Sequence, residues 1–469
     1  MTVAVRADRE ELPQMAAVPR IEPEPEPDLL TPEDLRRSDD RQRVVEARRR
    51  RRRFSLLAML LGPGILVMLG ENDGPSMLSY AASGATYGIG FFVPFIFATF
   101  LAAIVVQEMA VRVGAVTHRG YGQLVFERFG RFWGWLSAGD LVVTNLVTLI
   151  CELIAIRVGM AFFGIPPQVA VAFGVLLVAI SVAGGRYRRW ERVALGLAAF
   201  NMLFAVAAIM SHPDPASIGK AFLTWSPLPS GSLQLFLLLL ASNIGATVTP
   251  WMLFFQQSAV ADKGVTPRDL GHSRLDTVFG AMLAAVAGIG ALLVASVLFY
   301  HHVEPGKLQG GAGFAEALRP ILGYPVAGVF SLGLIESGAL AMMTISASTA
   351  YAVGEALGGP HSFNRKIAEA PGFYAFNVGI SVVAAIIVLI PGAPLLSIAL
   401  NANLLSVVLM PAALVFLIML ANDRKLMGPQ TNPRWLNVVG GFVAFTVGLA
   451  GTAYAFVAAF NALTGHSGG

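Results

Sequence analysis

Only one cysteine, Cys151, occurs among 469 residues, so no disulfide can form within the chain. Charge is scarce as well: 13% of residues are Asp, Glu, Lys or Arg, against about 25% in a soluble globular domain. The shortage is sharper beyond residue 54, because residues 1–54 hold 13 of the 33 basic and 12 of the 29 acidic residues. What remains is too apolar for a soluble enzyme or a nucleic-acid binder, despite a formal net charge of +4. Phosphate loops, His-Glu-x-x-His, nucleophile elbows and paired-Cys metal patterns are missing, which implies neither an enzyme nor a bound cofactor. Alternating ten-residue segments are missing too, which argues against a β-barrel. No signal peptide is expected, since the first apolar run begins at Phe54.

What is present is apolar and continuous. Hydrophobic residues make up 55% of the chain. Their runs predict eleven membrane-spanning helices near 55–83, 90–111, 133–160, 168–185, 191–211, 232–258, 275–300, 324–354, 371–392, 395–420 and 435–462. Basic residues gather after the even-numbered spans, as in Arg119, Arg128 and Arg131 or Arg188, Arg189 and Arg192. By the positive-inside rule the N-terminus is cytoplasmic and the C-terminus outside. An integral cell-membrane protein follows, with Ala-, Gly- and Arg-rich usage that fits a bacterial inner membrane. Residues 1–54, with IEPEPEPD at 21–28, are too polar to order and read as a disordered cytoplasmic tail. The tail ends in Arg48 to Arg53, an expected anchor on anionic lipids.

Two spans contain breaks. LGENDGPSMLSY, Leu69 to Tyr80, puts two acids and a Gly-Pro pair into an apolar helix. Each ionisable group at that depth costs about 2.5–3.5 kcal/mol on insertion scales, so a function is implied. Pro75 should free the carbonyl of Glu71 while Gly74 lets the backbone unwind, gathering oxygens at Glu71, Asn72, Asp73 and Ser76. Span 6 repeats the device: Pro250 should free the carbonyl of Ala246, beside Gly245, Thr247 and Thr249. Interrupted spans at corresponding positions of two five-helix halves are the pattern of an inverted-repeat transporter with its site at the midplane.

At these residues the sequence resembles the natural resistance-associated macrophage protein (NRAMP) family of divalent-metal transporters. The resemblance is carried by GPGILVMLGENDGPS (Gly62–Ser76), QEMAVRVGAVTHRG (Gln107–Gly120), GATVTPW (Gly245–Trp251) and NDRKLMG (Asn422–Gly428). It implies an all-α, LeuT-like fold: two inverted five-helix repeats, 55–211 and 232–420, an eleventh helix at 435–462, and discontinuous helices 1 and 6. It also implies metal ligands at Asp73, Ser76, the Ala246 carbonyl and Thr249. Ser76 replaces the family's Asn and Thr249 its Met, so the soft thioether at that position is lost. Hydroxyl, carboxylate and water oxygens favour harder ions such as Mg²⁺ and Mn²⁺, as in the NRAMP-related magnesium branch. Glu71, Asn72 and Asn403 are further candidate ligands or water-orienting groups. Trp251 stands where the family carries a His, the helix-3 acid pair reads Leu149 and Glu152, and Pro371–Leu389 holds no ionisable residue except Tyr374.

The expectation is a secondary transporter of Mg²⁺ and/or Mn²⁺ without obligatory proton coupling. The alternatives are a proton-coupled Mn²⁺/Fe²⁺ symporter of the same fold, a LeuT-like organic-substrate symporter and a non-transporting metal sensor. Glu152 reads equally as a pathway acid or a satisfied buried partner, and Glu336 as a path-lining group or a helix-packing one. Asp276 is expected to be solvated or paired with an Arg such as Arg274, and His301 and His302 lie at a span end.

Overall fold

The computed structural model describes residues 62–183, 187–228, 230–303, 313–390 and 395–464, and every regular element among them is a helix. The Arg48 to Arg53 anchor and the tail lie outside the described residues. Span 1 is split into α1 (Pro63–Gly70) and α2 (Gly74–Tyr87). Span 2 is α3 (Phe92–Thr117), span 3 is α5 (Arg131–Ala161) and span 4 is α6 (Pro167–Val182), with α4 (Tyr121–Phe129) between spans 2 and 3. Span 5 is α7 (Tyr187–Ala198) and α8 (Leu203–Met210) joined by a 3₁₀ turn at Ala199–Met202. After α9 (Pro215–Thr224), span 6 is split into α10 (Leu233–Gly245) and α11 (Pro250–Asp262). Spans 7 to 10 are α12 (Leu270–Tyr300), α13 (Gly313–Leu357), α14 (Pro371–Val388) and α15 (Leu395–Asn422). The short α16 (Arg424–Met427) precedes span 11, α17 (Arg434–Thr464).

Among the described residues nine helices are long and apolar enough to cross a membrane, and the split first span and the shorter α6 bring the spans to eleven. Leu176, Ile180, Phe200, Ile209, Phe442 and Phe445 are exposed, as apolar side chains are where the solvent is lipid. The packing repeats when span n is exchanged for span n+5: span 7 lies on both halves of span 1 and span 2 on both halves of span 6, while spans 3 and 8 pack extensively on each other. This is the all-α, LeuT-like architecture expected, with its two broken helices packed against each other.

Local chemistry sets several boundaries. Asp214 caps α9, and bonds from the Ser217 hydroxyl and the backbone N–H groups of Ala216 and Ser217 hold its carboxyl below its ordinary value. α13 begins well before the expected 324 and bends at Gly323, whose φ of 81° only glycine adopts readily, between Pro320 and Pro325.

Asp276 is not partnered by Arg274, which pairs with Glu108 at 2.8 Å. Positions two apart on a helix face different ways. Asp276 instead accepts the backbone N–H groups of Gly62 (3.0 Å) and Gly64 (2.7 Å), donors that the first turn of α1 leaves without intrahelical partners. A buried Lys263–Glu191 ion pair of 2.7 Å lies beside the same turn.

Candidate cation site at the two helix breaks

Both breaks end on a proline that restarts a helix. Asp73 is the N-cap of α2, its Oδ1 accepting from Ser76 N at 2.9 Å, and Pro75 sits in the first turn. Thr249 is the N-cap of α11 and Pro250 its first residue. There the missing N–H would have had no helical partner anyway, and the unwound residues are 71–73 ahead of the first proline and 246–249 ahead of the second. Gly74, expected to let the backbone unwind, is the first residue of α2 and Gly245 the last of α10, so each borders a break, and each is also a point of close approach. A methyl on Gly74 would overlap the Ala155 side chain, and one on Gly245 would overlap the Asn403 carbonyl oxygen.

The two breaks touch through side chains. The Thr249 hydroxyl donates to Glu71 Oε2 at 2.9 Å, so one expected ligand from each broken span meets the other. The Ala246 carbonyl, released by the break, accepts the Tyr80 hydroxyl at 3.0 Å and keeps a second lone pair. Glu152 Oε2, from α5, accepts Gly74 N at 2.8 Å. Asn403 donates to the Ser79 hydroxyl at 3.0 Å, one turn beyond Ser76, and Ser79 lies 2.7 Å from the hydroxyl of Ser242. Asn72 turns its amide nitrogen toward Asn201 (2.9 Å) and the Ala284 carbonyl (2.8 Å). Trp251, in the first turn of α11, packs its ring near Gly70 and Thr344 and accepts the Ser348 hydroxyl on its carbonyl at 3.0 Å. His301 and His302 are exposed at the end of α12 and are not brought to this site.

Sequence reasoning missed three neighbours. Met252 places a thioether 3.5 Å from Thr249 N, so a sulfur lost at position 249 returns one turn further along α11. A Met three residues after an N-cap was the available signal, because that residue reaches back toward the cap. Tyr80 and Asn201 gave no comparable signal, since their partners lie on spans 6, 1 and 8.

The arrangement suits a cation. Asp73, Ser76 and Thr249 are at most 3% exposed, and Glu71, Asn72 and Glu152 are fully buried. Within this group Glu71 Oε1, Asn72 Oδ1, Ser76 Oγ and Glu152 Oε1 have no hydrogen-bond partner. Buried acceptors in that condition are rare and cost about 1–3 kcal/mol each, which a positive ion or its bound water relieves. Among the described residues no three His, Cys, Asp or Glu side chains stand close enough to hold a metal ion on their own. An ion here would therefore draw on hydroxyl, carbonyl and water oxygens as well.

Comparison with known proteins bears on the family and the fold. Residues 64–458 match the sequence model described as natural resistance-associated macrophage protein-like. A divalent metal cation transporter, MntH, of Listeria welshimeri is 25% identical over 423 residues, covering 84% of this chain and 89% of that one. A second, MntH 1 of Pseudomonas aeruginosa, is 28% identical over 401 residues, covering 82% and 88%. Among solved structures, the Eremococcus coleocola manganese transporter superposes with a TM-score of 0.72 at 21% identity, covering 85% of this chain and 86% of that one. MhsT, solved with L-phenylalanine, superposes at 0.57 with 15% identity, covering 84% and 97%. These two likenesses concern the fold. With the family match running from α1 to α17, this chain belongs to the natural resistance-associated macrophage protein-like family.

Proposed function

We propose that this chain is a secondary transporter of divalent metal cations that carries Mg²⁺ and Mn²⁺ by alternating access, without obligatory proton symport. The observation that carries the reading is the group of unpartnered oxygens on Glu71, Ser76 and Glu152 around Asp73, where the two broken helices meet. Asp73 is the central anionic ligand, with Ser76, Thr249, Glu71 and the Ala246 carbonyl supplying oxygens or orienting retained waters. Mg²⁺ dehydrates reluctantly and usually keeps several waters, which short side chains at positions 76 and 249 accommodate. The relatives named for divalent metal transport support the cargo class.

An organic acid is disfavoured as cargo. A substrate carboxylate would need free N–H groups at the start of α2, but Gly74 N is taken by Glu152 and Ser76 N by Asp73. The uncoupled mode is supported by Trp251 in place of His and by a ninth span in which Tyr374, bonded to the Arg365 carbonyl, is the single ionisable residue. One observation favours a second reading, proton-coupled Mn²⁺ symport: the Met252 thioether and the Glu152 carboxyl both stand at the breaks.

The test is reconstitution into liposomes with Mg²⁺ and Mn²⁺ entry followed separately, an internal pH dye and Asp73→Ala as control. Entry of both ions without acidification, lost in Asp73→Ala, is expected. Mn²⁺ entry alone with stoichiometric acidification would establish the coupled reading instead, and no flux from folded protein would overturn transport.

A further inference from the structure

Between spans 1, 5, 7 and 8 runs a chain of buried polar side chains that ends on a carboxyl. Asn72 Nδ2 donates to Asn201 Oδ1 at 2.9 Å, and Asn201 Nδ2 donates to Glu336 Oε2 at 3.1 Å. Asn72 and Asn201 are fully buried and Glu336 is 6% exposed. Asn201 sits in the 3₁₀ turn Ala199–Met202, where its neighbour Phe200 faces outward and the amide faces in.

The chain has a direction. An ionised carboxylate only accepts, so a charged Glu336 compels Asn201 to present its NH₂ group. The carbonyl oxygen of Asn201 is then turned to Asn72, which must present its own NH₂ group. The Ala284 carbonyl, an acceptor only, enforces the same orientation from span 7 at 2.8 Å. Both kinds of donor capacity of Asn72 are thereby spent away from the break, and its Oδ1 is the atom left buried without a partner. The reverse orientation would put N–H donors where that oxygen is, and donors repel a cation.

We infer that Glu336 and Asn201 are positioning residues that hold Asn72 in one amide orientation, so that its carbonyl oxygen is offered, between Glu71 and Asp73, to the ion or to a water the ion carries. This rests on the cation site proposed above. Partners that orient metal ligands commonly change affinity by roughly 10–100-fold when removed. The lower end applies here because Ala284 remains.

The test uses the full chain in detergent for Mn²⁺ affinity and in liposomes for uptake. Glu336→Leu is expected to raise the Mn²⁺ Kd and KM about tenfold while Vmax per folded protein is retained. Glu336→Gln, whose amide oxygen can accept from Asn201 in one of its two orientations, is expected to lose less of both than Glu336→Leu. In an Asn72→Leu background Glu336→Leu has no further effect, because the oxygen it positions is already gone. If Glu336→Leu gives no folded protein, Asn201→Ser carries the same expectation. An unchanged Kd in the folded variant, or an additive loss on top of Asn72→Leu, would overturn the positioning role and leave the site standing. Wild type that binds no Mn²⁺, or binds it equally with Asp73→Ala, would overturn the site and this inference with it.

Discussion

Replacing Asp276 by Ala isolates the anchor that holds the start of α1. Its carboxylate accepts Gly62 N at 3.0 Å and Gly64 N at 2.7 Å, with Ile65 N further off at 3.4 Å. A methyl group accepts neither of the two short bonds. Each buried donor left alone costs about 1–3 kcal/mol, so the folded start of α1 loses about 2–6 kcal/mol. At about 1.4 kcal/mol per factor of ten, even the lower figure speeds opening of this turn roughly 25-fold. Hydrogen exchange read by mass spectrometry on peptides covering 62–70 should report that acceleration, with the rest of the bundle unchanged. Asp276→Asn keeps one accepting oxygen and should fall between. Arg274→Ala should leave the segment alone, because Arg274 is engaged with Glu108. Unchanged exchange across 62–70 in a folded Asp276→Ala protein would refute the idea that this carboxylate caps α1 from span 7.

Three further substitutions probe the breaks. Gly245→Ala drives a methyl into the Asn403 carbonyl and should lower thermal stability by about 1–3 kcal/mol, while Gly271→Ala, with open space around it, should not; equal melting curves would dismiss the close approach. Glu152→Ala strands the Gly74 N–H and should cost about 1–3 kcal/mol in the same assay, whereas Glu152→Gln keeps an acceptor and should cost less; matching losses would show that the bond contributes nothing. Thr249→Met puts a thioether at the first cap of α11 and removes the donor to Glu71, so the Mg²⁺-to-Mn²⁺ uptake ratio should fall by about tenfold, and an unchanged ratio would mean that position 249 does not set ion preference.

Much of the architecture is legible along the chain because lipid imposes a one-dimensional rule. A helix must satisfy its own backbone and present apolar side chains for its whole length, so eleven runs and their charged ends can be counted. The breaks are equally legible: Pro75 and Pro250 cannot continue a helix, and two acids within an apolar run have no use in lipid-facing packing. The close approach of the glycines is not legible in the same way, since Gly74 and Gly245 border the breaks and are also contact points with α5 and α15.

Composition, spacing and proline chemistry were therefore enough for the membrane class, the number of spans and the two interruptions. Long-range packing had to supply the rest. It directs Thr249 to Glu71, Tyr80 to the Ala246 carbonyl, Asp276 to the start of α1, and Asn72 through Asn201 to Glu336. A polar side chain inside a bundle takes the nearest partner of the right donor or acceptor type, and that partner belongs to whichever span packs there, at separations of 129 to 212 residues in most of these pairs.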